Sequence, residues 1–102
     1  MSSLVEQSNV LTNVTSGTFT NSSLGDYSKI LVEVHNTSDS AILATFLYPK
    51  SLFTVQNRAK AVGYIDITNN IRTNLAYASG TYTLSVQNFT VATWKVNIYA
   101  CN

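Results

Sequence analysis

The chain has 102 residues, a net charge of +1, and only 11% charged residues against 45% apolar ones. That length supports one domain with its own core but not two. With no basic cluster larger than Arg58 and Lys60, the charge excludes the electrostatic footprint of a nucleic-acid or anionic-membrane binder.

The longest apolar run falls short of the roughly 18 residues that a membrane helix needs. The opening MSSLVEQSNV lacks the basic and apolar regions of a secretion signal. The expectation is a soluble chain, either unprocessed or a fragment, with no membrane insertion. Polarity is carried instead by 12 Ser, 13 Thr and 11 Asn. These residues suit turns and the solvent faces of sheets better than helix interiors, which points to an all-β fold.

In chain order, LVEQSNVLTNV (4–14) alternates weakly, so residues 1–15 read as an N-terminal strand or linker and 16–102 as the domain. SGTFT (16–20) reads as a short strand closed by the polar turn NSSLGD. YSKILVEVHN (27–36) alternates cleanly, with Ile30, Val32 and Val34 on the core face and Leu31, Glu33 and His35 on the other.

AILATFLY (41–48) is apolar on both faces and reads as an interior strand, or as one covered by a second subunit. Pro49, the only proline, belongs at a strand end, a bulge or an edge because it donates no ladder hydrogen bond. Leu52 and Phe53 then plug an open end of the core, and TVQNRAK (54–60) is a polar connection.

AVGYIDIT (61–68), NIRTNLAYA (70–78), TYTLSVQN (81–88) and VATWKVNIYA (91–100) alternate again, separated by NN, SG and FT. Strands recurring every roughly 8 to 12 residues are the signature of a sandwich or barrel. The fold class expected is an all-β, antiparallel, jelly-roll-like β-sandwich of seven to eight strands.

Chemistry is sparse. With one His and one Cys, no zinc site of the usual composition can be assembled without several carboxylates. Glu6, Asp26, Glu33, Asp39 and Asp66 fall mostly in turns or on outward faces. No catalytic, cofactor-binding or metal-binding residues are therefore assigned, and the chain reads as a non-enzyme.

His35 is expected as an exposed residue at a strand end, and Asp66 as a solvent-face carboxylate placed to pair with Arg72. Trp94 shares the core face with Val96 and Ile98, opposite Lys95, Asn97 and Tyr99. Cys101 forbids an internal disulfide. Asn13, Asn21, Asn36 and Asn88 begin glycosylation sequons, no more than this Asn, Ser and Thr content produces by chance. Tyr48, Tyr64, Tyr77 and Tyr82 cannot all be interior, and exposed Tyr beside Asn and Arg commonly binds sugars or packs against partners.

Taken together, SGTFT, LGDYSKILVEV, FLYPKSLF, GTYTLSV and WKVNIYA resemble the distal β-sandwich modules of bacteriophage tail-fibre and tail-spike receptor-binding proteins, over about residues 16–100. The resemblance implies a homotrimer in a phage virion, at the tip of a fibre, that attaches to a bacterial cell-surface saccharide and contacts other virion proteins. Residues 1–15 carry no collagen-like or coiled-coil pattern, so the expectation is a fragment or a small standalone virion protein. Receptor-contacting residues vary too much among such modules to carry over. Chemistry selects Arg58, Lys60, Arg72, Asn74 and Tyr77 as ligand-binding candidates.

Two rival readings are a structural decoration, baseplate or fibre-connecting protein, and a polysaccharide-degrading enzyme using Asp26, Asp39 and Asp66 as paired carboxylates.

Overall fold

Alternation of small β-branched residues with polar ones decides the central strand. Ile30, Val32 and Val34 are at most 1% exposed, while Leu31, Glu33 and His35 between them retain contact with solvent. The computed structural model describes residues 4–6, 16–20, 24, 27–88 and 94–101. The remainder of 1–15, Asp26 and the sequon residues Asn13 and Asn21 lie outside that set.

The strand just named, β3 (Lys29–Asn36), pairs antiparallel with β4 (Ile42–Pro49) on one side and β8 (Trp94–Cys101) on the other. A second antiparallel sheet is the meander β5 (Lys60–Asp66), β6 (Ile71–Ala78) and β7 (Thr81–Gln87). Each sheet gains a short outer strand, β1 (Leu4–Glu6) on β8 and β2 (Ser16–Thr20) on β7. The orders are β1-β8-β3-β4 and β2-β7-β6-β5.

The inward residues of both sheets meet in one core. Ile30, Val32, Val34, Val96, Ile98 and Ala100 come from the first sheet, and Leu75, Tyr82 and Leu84 from the second. Trp94 is partly buried and packs against this core, on the face alternation assigned to it.

One strand is not where its composition places it. Of the two placements expected for AILATFLY, a sheet interior or a strand under a second subunit, the first does not hold: β4 is an edge strand, with Ile42, Leu43 and Leu47 40 to 62% exposed in the single chain. Only its inward residues Ala44, Phe46 and Tyr48 reach the core. Apolarity on both faces is the mark of a strand covered on both sides, and here the second side is bare.

The edge is blunted in two ways that limit strand addition. Pro49 is its last residue, opposite Lys29, and the register slips between Val34 and His35.

After Pro49 a single helical turn, α1 (Ser51–Thr54), drops Phe53 into the core at 1% exposure. Its ring stands edge-on to Tyr82 at 5.4 Å and near Tyr48 and Tyr77 at 6.4 and 5.9 Å. Leu52 packs beside it. The plug expected from KSLF is thus present, in helical form.

The β6–β7 hairpin turns on Ser79 (φ 50°) and Gly80 (φ 83°). Two successive positive φ values are the backbone of a type I′ turn, whose twist suits a two-residue hairpin.

Candidate functional site

Because successive strand side chains point to opposite faces, burying Gly63, Leu75, Tyr82 and Leu84 turns a fixed set of polar residues outward. Cross-strand register sorts that outer face into three rows: Tyr64–Arg72–Gln87, Val62–Asn74–Ser85 and Lys60–Ala76–Thr83. Three of the residues selected from sequence, Lys60, Arg72 and Asn74, therefore share one surface.

Arg72 is held in a defined orientation. Its Nε donates to Gln87 Oε1 at 2.8 Å and its Nη1 to Tyr64 Oη at 3.0 Å, with the guanidinium 5.7 Å from the Tyr64 ring centroid. The donors left over lie at the Nη1/Nη2 end, the edge that engages a planar anion in bidentate fashion. Tyr64 itself is 43% exposed and presents an aromatic surface beside those donors.

Asn74 sits one row away. Its Oδ1 is out of water without a hydrogen-bond partner, an unmet acceptor of a kind that costs about 1–3 kcal/mol.

The expected Asp66–Arg72 pair does not form. Asp66 accepts from Asn69 Nδ2 at 2.7 Å and from the Asn69 backbone N–H at 3.2 Å. The Asn69 side-chain amide, and then its backbone, hold the Asp66 carboxyl below its ordinary pKa. The turn's own donors are nearer than a side chain on the next strand, and they claim the carboxylate.

Arg58 and Tyr77 sit elsewhere. Tyr77 is on the inward side of β6, its ring 4.8 Å from that of Tyr82, and its backbone N–H donates to Ala59 C=O at 2.9 Å. With Arg58, Asn57, Phe53 and Ser79 it lines an open depression of about 210 Å³ at the α1 end of the molecule. Of the four tyrosines at issue, Tyr82 is fully buried, Tyr48 and Tyr77 are half-buried, and Tyr64 alone is exposed. Tyr64 and Gln87 are the contributors that residue-by-residue reading passed over. The outward Thr81, Thr83, Ser85 and Gln87 of TYTLSVQ carried the signal.

The outer face of the other sheet holds a compact polar cluster. Glu33 Oε1 lies 3.0 Å from His35 Nδ1 and accepts from Asn97 Nδ2 and Tyr99 Oη at 3.4 Å each. The His35 side chain is 21% exposed and Asn97 only 2%, so His35 is more covered than expected, and Asn97, on the outer face where alternation put it, is buried there. Neighbouring side chains on a sheet shield one another, which alternation along one strand does not reveal. Cys101 is buried, its Sγ 3.8 Å from Lys29 C=O, and so is shielded from forming a bridge to another chain.

The carboxylates Asp39 and Asp66 occupy different turns, Asp39 accepting from the Ala41 N–H at 3.0 Å. Among the described residues, no three His, Cys, Asp or Glu side chains are grouped so as to hold a metal ion, and no helix is long and apolar enough to cross a membrane. No family model, curated protein or solved structure matches the chain.

Proposed function

We propose that the chain is a non-enzymatic attachment module that holds a bacterial cell-surface glycan on the outer face of the β5–β6–β7 sheet. The observation that carries the reading is Arg72, oriented by Gln87 and Tyr64 on a face that also presents Lys60, Asn74, Ser85 and Thr83. An oriented guanidinium, amide and hydroxyl groups, and one exposed aromatic ring are what sugar hydroxyls and ring faces require. Ordering these donors before the ligand arrives removes part of the cost of binding.

The resemblance to phage tail-fibre tips supplies the biological setting: a virion protein present as a homo-oligomer, three copies by that resemblance. Sites that are weak singly then gain from multivalent presentation. In finer terms the fold is read as a jelly-roll-like β-sandwich. Support comes from the two sheets sharing one core and from the pairing of β1 with β8 and β2 with β7.

A glycan array probed with the purified protein, followed by competition of phage adsorption, tests the reading. Ligands on the array and blocked adsorption are expected, and failure of both removes it.

A second reading is favoured by Ile42, Leu43 and Leu47 on the β4 edge, whose exposure leaves apolar area for a neighbour to cover. There the chain is a structural virion protein with assembly contacts only. Light scattering and a scan of β4 substitutions that dissolve the assembly without affecting glycan binding separate the two.

A further inference from the structure

The outer face of the β5–β6–β7 sheet is uneven in charge. Lys60 and Arg72 stand on it, and no row of the face contains a carboxylate. Asp66, the one carboxylate on β5, stays charged at the strand's end, where it accepts from Asn69 and makes no ion pair with Arg72. Among the described residues the only ion pair is His35–Glu33, on the opposite sheet. Two of the six Lys and Arg residues of the chain, Lys60 and Arg72, thus stand on this face without an ion-pair partner, although the molecule as a whole is almost neutral.

We infer that the ligand of this face is an acidic saccharide, one bearing carboxylates or other anionic substituents along an extended chain. The inference rests on the glycan reading and adds the charge of the ligand to it. Arg72 takes an anionic group across its Nη1/Nη2 edge, since Nε is committed to Gln87 and one Nη1 donor to Tyr64. Bidentate pairing with a carboxylate is what that planar fork favours.

Lys60 is two rows further along the sheet, four residues from Tyr64 on the same strand, or about 13 Å at a strand's rise per residue. A polymer lying along β5 meets Tyr64 and Arg72 at one end and Lys60 at the other. Val62 and Asn74 lie between the two. A neutral glycan would leave both cations without a partner, and a compact single anion would reach only one of them.

Affinity electrophoresis of the full chain through gels containing polygalacturonate or dextran tests this. The expected result is retardation by the polyuronate at least tenfold stronger than by dextran, falling as salt rises. Arg72→Gln and Lys60→Gln each weaken it at least fivefold. Lys95→Gln, which removes the same charge from the other sheet, leaves it within twofold.

Equal retardation by dextran and polyuronate overturns the acidic ligand and leaves the glycan reading standing. Equal loss in Lys95→Gln and Arg72→Gln also overturns it, because the attraction would then be diffuse charge and not this face. Retardation by neither polymer, with no acidic glycan bound on an array, removes the inference and the reading together.

Discussion

Phe46 lies flat against Gly63, with ring atoms where a side chain at 63 would begin. A Cβ built on Gly63 would stand 2.7 Å from Phe46 Cγ and Cδ2 and 2.8 Å from Cδ1. Gly63 is on β5 and Phe46 on β4, the edge strands of the two sheets. The contact closes the side of the core between them, and it exists because position 63 has no side chain.

Replacing Gly63 therefore sets overpacking against the modest entropic gain of losing a glycine. Gly63→Val is expected to cost about 1–3 kcal/mol, read as a lowered midpoint in denaturant at unchanged slope. Combining it with Phe46→Ala should give a non-additive pair, the second change relieving part of the first. Additive losses would mean that the ring does not lie against Gly63 in solution.

Phe53→Ala empties the plug. A buried Phe in contact with three tyrosine rings is expected to lose about 3–5 kcal/mol on truncation, measured by equilibrium unfolding. Phe53→Leu, which keeps most of the volume, should recover more than half of that.

The phenols of Tyr27 and Tyr82 meet inside the core, Tyr27 Oη donating to Tyr82 Oη at 3.1 Å. Burial raises the pKa of both, and the bond from Tyr27 raises that of Tyr82 further. Both groups hold their proton more tightly folded than unfolded. Their contribution is full below the unfolded pKa of about 10 and is lost as the pH rises from there toward the folded values. Alkaline unfolding should thus begin above about pH 10, with phenolate absorbance from these two tyrosines appearing only as the protein unfolds. Tyr82→Phe is expected to reduce stability at neutral pH by about 0.5–1.5 kcal/mol and to flatten this alkaline slope.

Glu33 is the acceptor at the centre of the outer cluster on the β1-β8-β3-β4 sheet, facing His35, Asn97 and Tyr99. Glu33→Ala leaves those groups without their common acceptor and should cost about 1.5–3 kcal/mol, the range for hydrogen bonds to a charged group. Thermal unfolding checks it. Glycan binding, proposed for the other sheet, is expected to stay unchanged.

Gln87 accepts from Arg72 at 2.8 Å, so under the proposed glycan reading it acts by orienting that guanidinium. Gln87→Leu should weaken saccharide binding by no more than about twofold, or 0.4 kcal/mol, and leave the unfolding midpoint in place. A loss as deep as that of Arg72→Gln would make Gln87 a direct contact instead.

Alternation along single strands was enough to find the β character of the chain, the positions of most strands, and the core faces of KILVEVHN and WKVNIYA. Inward positions on a sheet recur with period two, and burial selects apolar residues there. The SG hairpin and the stop at Pro49 were legible for the same local reason, that backbone geometry restricts which residues fit.

What lay across strands was not legible. That Arg72 would turn to Gln87, fifteen residues away, and Asp66 to Asn69 depended on register and on which donor came closest. That β4, the most apolar stretch, would stand at an edge depended on strand order, which apolarity does not encode. That Tyr64 would be the exposed tyrosine and Asn97 a buried amide depended on what the neighbouring strands place over each. Side-chain periodicity is written residue by residue, but the outer face of a sheet is assembled from pairings between distant segments, and only the folded chain brings those together.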